Sequence, residues 1–220
     1  MITISRLYDD YEAASRAVDE LERAGISHDD ISLVASNADG WYDKDGTLRR
    51  VVDRDRDPVT GRIDRDRDGI DDRTEGATTG AGIGAALGGT AGLLAGLGML
   101  AIPGLGPIVA AGWLVSMAAV GAAGGVTGGI IGALTQSGVS EDEAHAYAEG
   151  VRRGGTLVTA RVPDGDQARY EAILDRSAVD IRDRATHYQS SGWNRFDANA
   201  SPYSAEEIRR ERLTYRTPVN

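Results

Sequence analysis

Apolar and polar positions alternate at the start of the chain. Ile2 and Ile4 are separated by Thr3 and flanked by Ser5, the two-residue period of a short strand that runs to about Arg6. The period then lengthens. Ala14, Ala17, Val18, Leu21 and Ala24 share one helical face, Asp9-x-x-Glu12 reads as a capping box ahead of them, and Gly25 stands where a left-handed stop belongs. Alternation returns at Ile31, Leu33 and Ala35. The same order recurs after residue 139. There Ser140-x-x-Glu143 caps a helix with Ala144, Tyr147, Ala148 and Val151 inward, and Gly154 and Gly155 end it. Residues 156–162 read as a strand, 166–176 as a helix with Ala168, Ile173 and Leu174 inward, and 178–181 as a further strand. Two such halves, residues 1–37 and 139–186, predict one discontinuous α+β domain. Its expected form is a ferredoxin-like four-stranded antiparallel sheet with helices on one face.

What separates the halves has a different pattern. From residue 76 to residue 140 there is no charged side chain, and 19 of the chain's 29 glycines lie between 76 and 138. Gly80, Gly84, Gly88, Gly92 and Gly96 recur every fourth residue; Gly121, Gly125 and Gly129 repeat the step beside Gly124, Gly128 and Gly132. On a helix this spacing makes a groove without side chains, the small-xxx-small surface on which another backbone packs closely. Residues 78–102 and 108–134 flank Pro103, Gly104, Leu105, Gly106 and Pro107, which predicts a glycine-zipper helical hairpin over 76–138. At 1.5 Å per residue each arm is roughly 37 Å long, enough for a ~30 Å hydrocarbon layer. Arg and Lys flank the outer ends and none lies in the turn, so a membrane reading puts both termini in the cytoplasm, at the inner membrane. Packing of the hairpins into a shared helical core, with the chain in the cytoplasm, is the alternative.

Between the first half and this hairpin lies an acidic, arginine-laced loop, residues 38–75. Asp64, Asp66, Asp68, Gly69, Ile70, Asp72 and Glu75 fit D-x-D-x-D-G-x5-E. Alternate carboxylates can wrap a Ca2+ ion when the sixth residue turns sharply, with Ile70 offering its carbonyl and Glu75 both oxygens. The match departs from an EF-hand in lacking an amphipathic entering helix, and it is closer to a thrombospondin type 3 style of loop. Asp53, Asp55 and Asp57 begin the same pattern, but Pro58 replaces the turn glycine. A polyampholyte linker neutralised by its own arginines is the plainer reading of the same residues.

Composition narrows the functions. A net charge of −10 without a basic block argues against nucleic acid as a partner. The absence of cysteine removes disulfides, thiolate metal sites and a thiol nucleophile. The first residues lack the apolar core of a secretory signal. His28, His145 and His187 each stand alone and are expected to face solvent, and the glycines of Gly82-x-Gly84 belong to packing rather than to a phosphate loop. No catalytic set is expected. In the tail, residues 187–220, Trp193, Arg195, Phe196 and Tyr203 precede a third capping box, Ser204-x-x-Glu207, and a charged helix; these aromatics are expected to dock the tail on its own domain.

Three stretches carry a family resemblance: RLYDDYEAASRAVDELERAGISHDDISLVASN, the glycine repeat with AIPGLGPIVAAGWL, and GVSEDEAHAYAEGVRRGGTLVTARV. Together they resemble the general stress protein family with a YflT-type (heat-induced stress protein) domain, over residues 1 to about 185. The resemblance implies a small, non-enzymatic bacterial stress-associated domain, some members of which carry a glycine-rich hydrophobic insert, and it brings no catalytic residues. The expected protein is therefore membrane-associated, anchored and self-associated through its hairpin, and responsive to Ca2+. Its expected partners are the lipid bilayer and further copies of itself. A soluble homo-oligomeric scaffold or small-ligand-binding module is the alternative.

Overall fold

The computed structural model describes residues 1–40, 42, 98–122 and 129–216. The first unit forms as its periodicity requires: β1 (Ile2–Tyr8), α1 (Tyr11–Arg23) and β2 (Ile31–Ser36). The α1 cap is Asp10 rather than Asp9: its Oδ1 accepts from the Ala13 amide at 2.7 Å, while Asp9 pairs with Arg184 at 2.8 Å. Gly25 has φ +103°, the left-handed stop expected there.

The insert does not form the expected helical arms at the turn. Residues Gly98–Ile102 are β3 and Gly106–Gly112 are β4, a β-hairpin closed by Pro103, Gly104 and Leu105, and β4 pairs with β2. Among the described residues that follow, α2 (Trp113–Ala122) and α3 (Gly129–Gln136) are helical, about 15 and 12 Å long at 1.5 Å per residue. Among the described residues no helix is long and apolar enough to cross a membrane. The rest of the first arm, residues 78–97, lies outside the described residues, as do residues 41 and 43–75 of the loop 38–75. Two features explain the switch. Every residue of β2 is buried, so an unpaired second edge would strand its amides and carbonyls away from water. Ile108 and Val109, β-branched and central in β4, fit a strand better than a helix.

The second half follows as α4 (Glu141–Arg152), β5 (Thr156–Val162), α5 (Gln167–Leu174), α6 (Ile181–Ser190) and α7 (Ala205–Arg216). The sheet has five antiparallel strands in the order β1-β5-β2-β4-β3. The strand expected over 178–181 shrinks to one bridge, Leu7 with Val179, whose amide donates to the Leu7 carbonyl at 2.7 Å. Asp180 ends it by accepting from the amides of Arg182 and Asp183, which starts α6. The other two capping boxes form as expected, Ser140 with Glu143 and Ser204 with Glu207.

Alternation along the strands divides two cores. Ile4, Tyr8, Leu33, Ala35 and Val158 face α1 and α5, while Leu7, Val34, Ile108 and Leu157 face α2, α3 and α4. Helices thus cover both faces, not the one expected. The β4–α2 corner locks onto β2: the Leu114 amide donates to Ser32 Oγ at 2.8 Å, and Trp113 Nε1 donates to the Asp30 carbonyl at 3.2 Å. Gly112 makes that corner at φ +93°, and a Cβ there would run into the Ile31 carbonyl and Ser32. In a helical arm Gly112→Ala would stabilise by about 1 kcal/mol. At this corner it should cost about 2–4 kcal/mol in urea denaturation, through left-handed strain and overpacking.

Candidate functional site

The expected metal set Asp64, Asp66, Asp68, Ile70, Asp72 and Glu75 lies outside the described residues, as do Gly80, Gly84, Gly88, Gly92, Gly96, Gly124, Gly125 and Gly128. Among the described residues no three Asp, Glu or His side chains gather to hold a metal ion. Of the glycine repeat, Gly121 lies in α2, Gly129 opens α3 at φ +42° and Gly132 lies within α3. Among the described residues only Gly121, Gly129 and Gly132 of the expected site positions can be placed. What it does build is a clamp and two clefts.

The clamp holds the tail. Residues 196–202 cross the β3–β4 turn so closely that a Cβ on Gly104 would meet Phe196, Asp197 and Ala198, and one on Gly106 would meet Pro202. Beyond them α7 buries Ile208 against Gly154, so the tail docks on its own domain as its aromatics suggested. Beneath it lies a buried ion-pair network. Glu149, wholly buried, accepts from Arg153 Nε at 2.7 Å and stands 3.3 Å from Arg152 Nε; Arg153 also reaches Glu211 of α7. Burial by itself lowers the Arg153 pKa, but the hydrogen bonds it donates to Glu149 and Glu211 outweigh it and raise the value. Arg153 stacks on Tyr188 at 4.3 Å and Arg184 on Tyr215 at 3.6 Å. Burial pushes the Tyr188 phenol up to about 12. The sequence signal was present in the spacing Glu149-x-x-Arg152-Arg153, which puts both guanidiniums within reach of one carboxylate on a helix face. Its partner Glu211 could not be read locally.

One cleft, of about 500 Å³, opens beside the outer edge of β1 where the fourth strand stops short. Its polar groups are engaged with one another. Arg6 pairs with Asp175, and the Tyr147 hydroxyl donates to the Ser5 carbonyl at 2.7 Å. Burial, ahead of the opposing Arg6 charge, raises Tyr147 to about 12. The second, also about 500 Å³, lies between α4 and α6 under residues 193–195. Here the expectation for His145 is corrected: it is only 8% exposed, because the packing of α6 and the tail on α4 covers it. Its Nδ1 and the Trp193 Nε1 are buried without hydrogen-bond partners. His187 does face solvent, edge-on to Tyr215.

Compared with protein-family models, with curated proteins and with solved structures, the chain matches none of them. The geometry alone defines the class: an α+β protein in which residues 98–112 of the uncharged insert pair into the sheet and their turn is covered by the tail.

Desolvation, followed by the Arg195 charge, lowers the His145 pKa below its ordinary 6.5. The unfolded chain then binds this proton at a higher pH than the folded one, so stability is full above pH 6.5 and falls as pH drops toward the folded value. Wild type should lose stability on acidification from pH 7.5 to 5.5 in urea titrations, and His145→Gln should flatten that slope.

Proposed function

We propose that this chain is a non-enzymatic, stress-associated bacterial protein whose α+β domain presents a glycine-rich segment for self-association. The domain is read as ferredoxin-like in order. Val179, β1, β5 and β2 stand side by side, β1 and β2 run parallel with β5 between them, and α1 and α5 share a face. In this reading β3 and β4 extend that arrangement beyond β2. The link to stress rests on the resemblance of residues 1–185 to the general stress protein family.

One observation carries the choice between anchor and assembly. β2 and β3 belong to the same sheet, so the chain between them must leave and return on one side. Its uncharged part, residues 76–97, holds 22 residues. That suffices for a single crossing of about 20 residues and not for two, and a single crossing would put β2 and β3 on opposite sides of the bilayer. The glycine repeat is therefore better used against copies of itself, as in the oligomeric scaffold, than across a membrane. Detergent-free extracts should hold the protein in the supernatant after carbonate washing, sedimenting as more than one chain, with Gly88→Leu shifting it toward smaller species. Recovery in the carbonate-resistant pellet would overturn the assembly reading.

Ca2+ remains part of the proposal. Asp64, Asp66, Asp68, Ile70, Asp72 and Glu75 directly precede the glycine repeat, where a bound cation would set how that segment starts. Titration calorimetry with Ca2+ should give heat for wild type and none for Asp66→Ala; identical heats would remove the ion from the proposal.

A further inference from the structure

We propose that the outer edge of β3 is the surface through which two copies join, β3 of one lying antiparallel to β3 of the other. This rests on the self-association reading above and gives it a place. The register fixes which groups are on offer. The Asn37 amide donates to the Pro107 carbonyl, so Pro107, Val109 and Ala111 turn their backbone groups toward β2, while Gly106, Ile108 and Ala110 turn theirs toward β3. Across the β3–β4 ladder Gly98, Leu100 and Ile102 therefore face β4. The amides and carbonyls of Met99 and Ala101 point the other way, and among the described residues no strand pairs with them.

Nothing on β3 blocks that edge. GMLAI carries no charge, no internal proline and no bulge, the devices by which edges are protected. The opposite edge of the sheet is closed: Tyr147 and Arg6 donate to the Ser5 carbonyl, and Val179 takes the Leu7 carbonyl. Among the described residues β3 thus offers the single open edge, which gives a closed pair, whereas two would give a filament. About a twofold axis at Leu100, Met99 of each copy faces Ala101 of the other, and the two pairs exchange four N–H···O bonds. Leu100, 37% exposed in the single chain, then packs against its own counterpart, and two five-stranded sheets become one.

Charge selects a second copy as the occupant. Chains of net charge −10 repel one another, and β3, inside the uncharged run 76–140, lets two copies meet without like charges on the joining strands. A basic partner would be drawn instead to the acidic remainder of the surface.

The test uses the full-length chain without detergent. Ala101→Pro removes an outward amide and leaves the β4 ladder intact, since Pro is tolerated where the N–H faces away from the sheet. In sedimentation velocity it should weaken the dimer about tenfold or more, at unchanged far-UV circular dichroism. Because the chain has no cysteine, Leu100→Cys is an independent probe. Non-hydrogen-bonded antiparallel pairs bring Cα atoms to about 4.5 Å, within disulfide range, so this variant should oxidise to a covalent dimer much faster than the exposed control Ser191→Cys. A wild type that stays monomeric removes self-association altogether. An oligomeric wild type that Ala101→Pro leaves intact, or whose Leu100→Cys cross-links no faster than the control, removes the edge pairing alone. The cysteine pair decides the matter if the proline variant fails to fold.

Discussion

The structure depends on satisfying the backbone of β2. Its six residues are all buried, so the strand has no water to bond to on either side and must be paired along both edges. β5 supplies one edge and β4 the other. That requirement outweighs the helical appearance of the insert, and it also explains Ser32. Its buried hydroxyl would be an unpaired polar group in the sheet, and instead it accepts a hydrogen bond from the Leu114 amide in the first turn of α2. One strand thereby fixes where the insert enters the sheet, where it turns into helix and where that helix starts.

Much of the fold could be read from local pattern. α1, α4 and β5 follow from periodicity and caps, because a helix start signals itself in three or four neighbouring residues. The insert could not be read this way. GMLAI and GPIVAAG are short, wholly apolar runs in which the helical and extended periods give the same string, so only the long-range demand of β2 decides between them. The second arm pointed to helix from residue 108, yet Gly112 serves a left-handed corner, and Gly104 and Gly106, expected in the turn, also serve the passage of the tail. The shortened fourth strand fails for the opposite reason. Ala178 and Val179 look extended, but Asp180 caps a helix one residue later and the cap wins.

Of the candidate site, less was legible. The expected cation and zipper positions are local motifs by nature, readable in a sequence whether or not a fold uses them. The clamp is the reverse case. Glu149 and Arg153 announce a helical pair, but their burial comes from a tail nearly sixty residues away, where Glu211 completes the network. Buried ion pairs of this kind add little net stability over an apolar contact but penalise any register in which a partner is missing. Here they specify a single seat for α7, as the two glycines under the tail specify a single path to it. His145, in the cleft between α4 and α6, is likewise hidden by elements its own sequence neighbourhood cannot foretell.

The order of strands has a consequence for how the chain is made. β2 is complete at Ser36, but β4 and β5 begin only at Gly106 and Thr156. At a synthesis rate of 5–20 residues per second, the 120 residues from Ser36 to Thr156 take roughly 6–24 s to appear, during which β2 has no lasting partner on one edge or the other. Such non-local pairing also slows the folding step itself. The nascent chain therefore spends seconds as an apolar strand followed by an uncharged, glycine-rich segment, the state in which a chain most needs a holdase. The acidic loop emerges between the two, just after β2, and sets gatekeeping charges beside an otherwise apolar stretch.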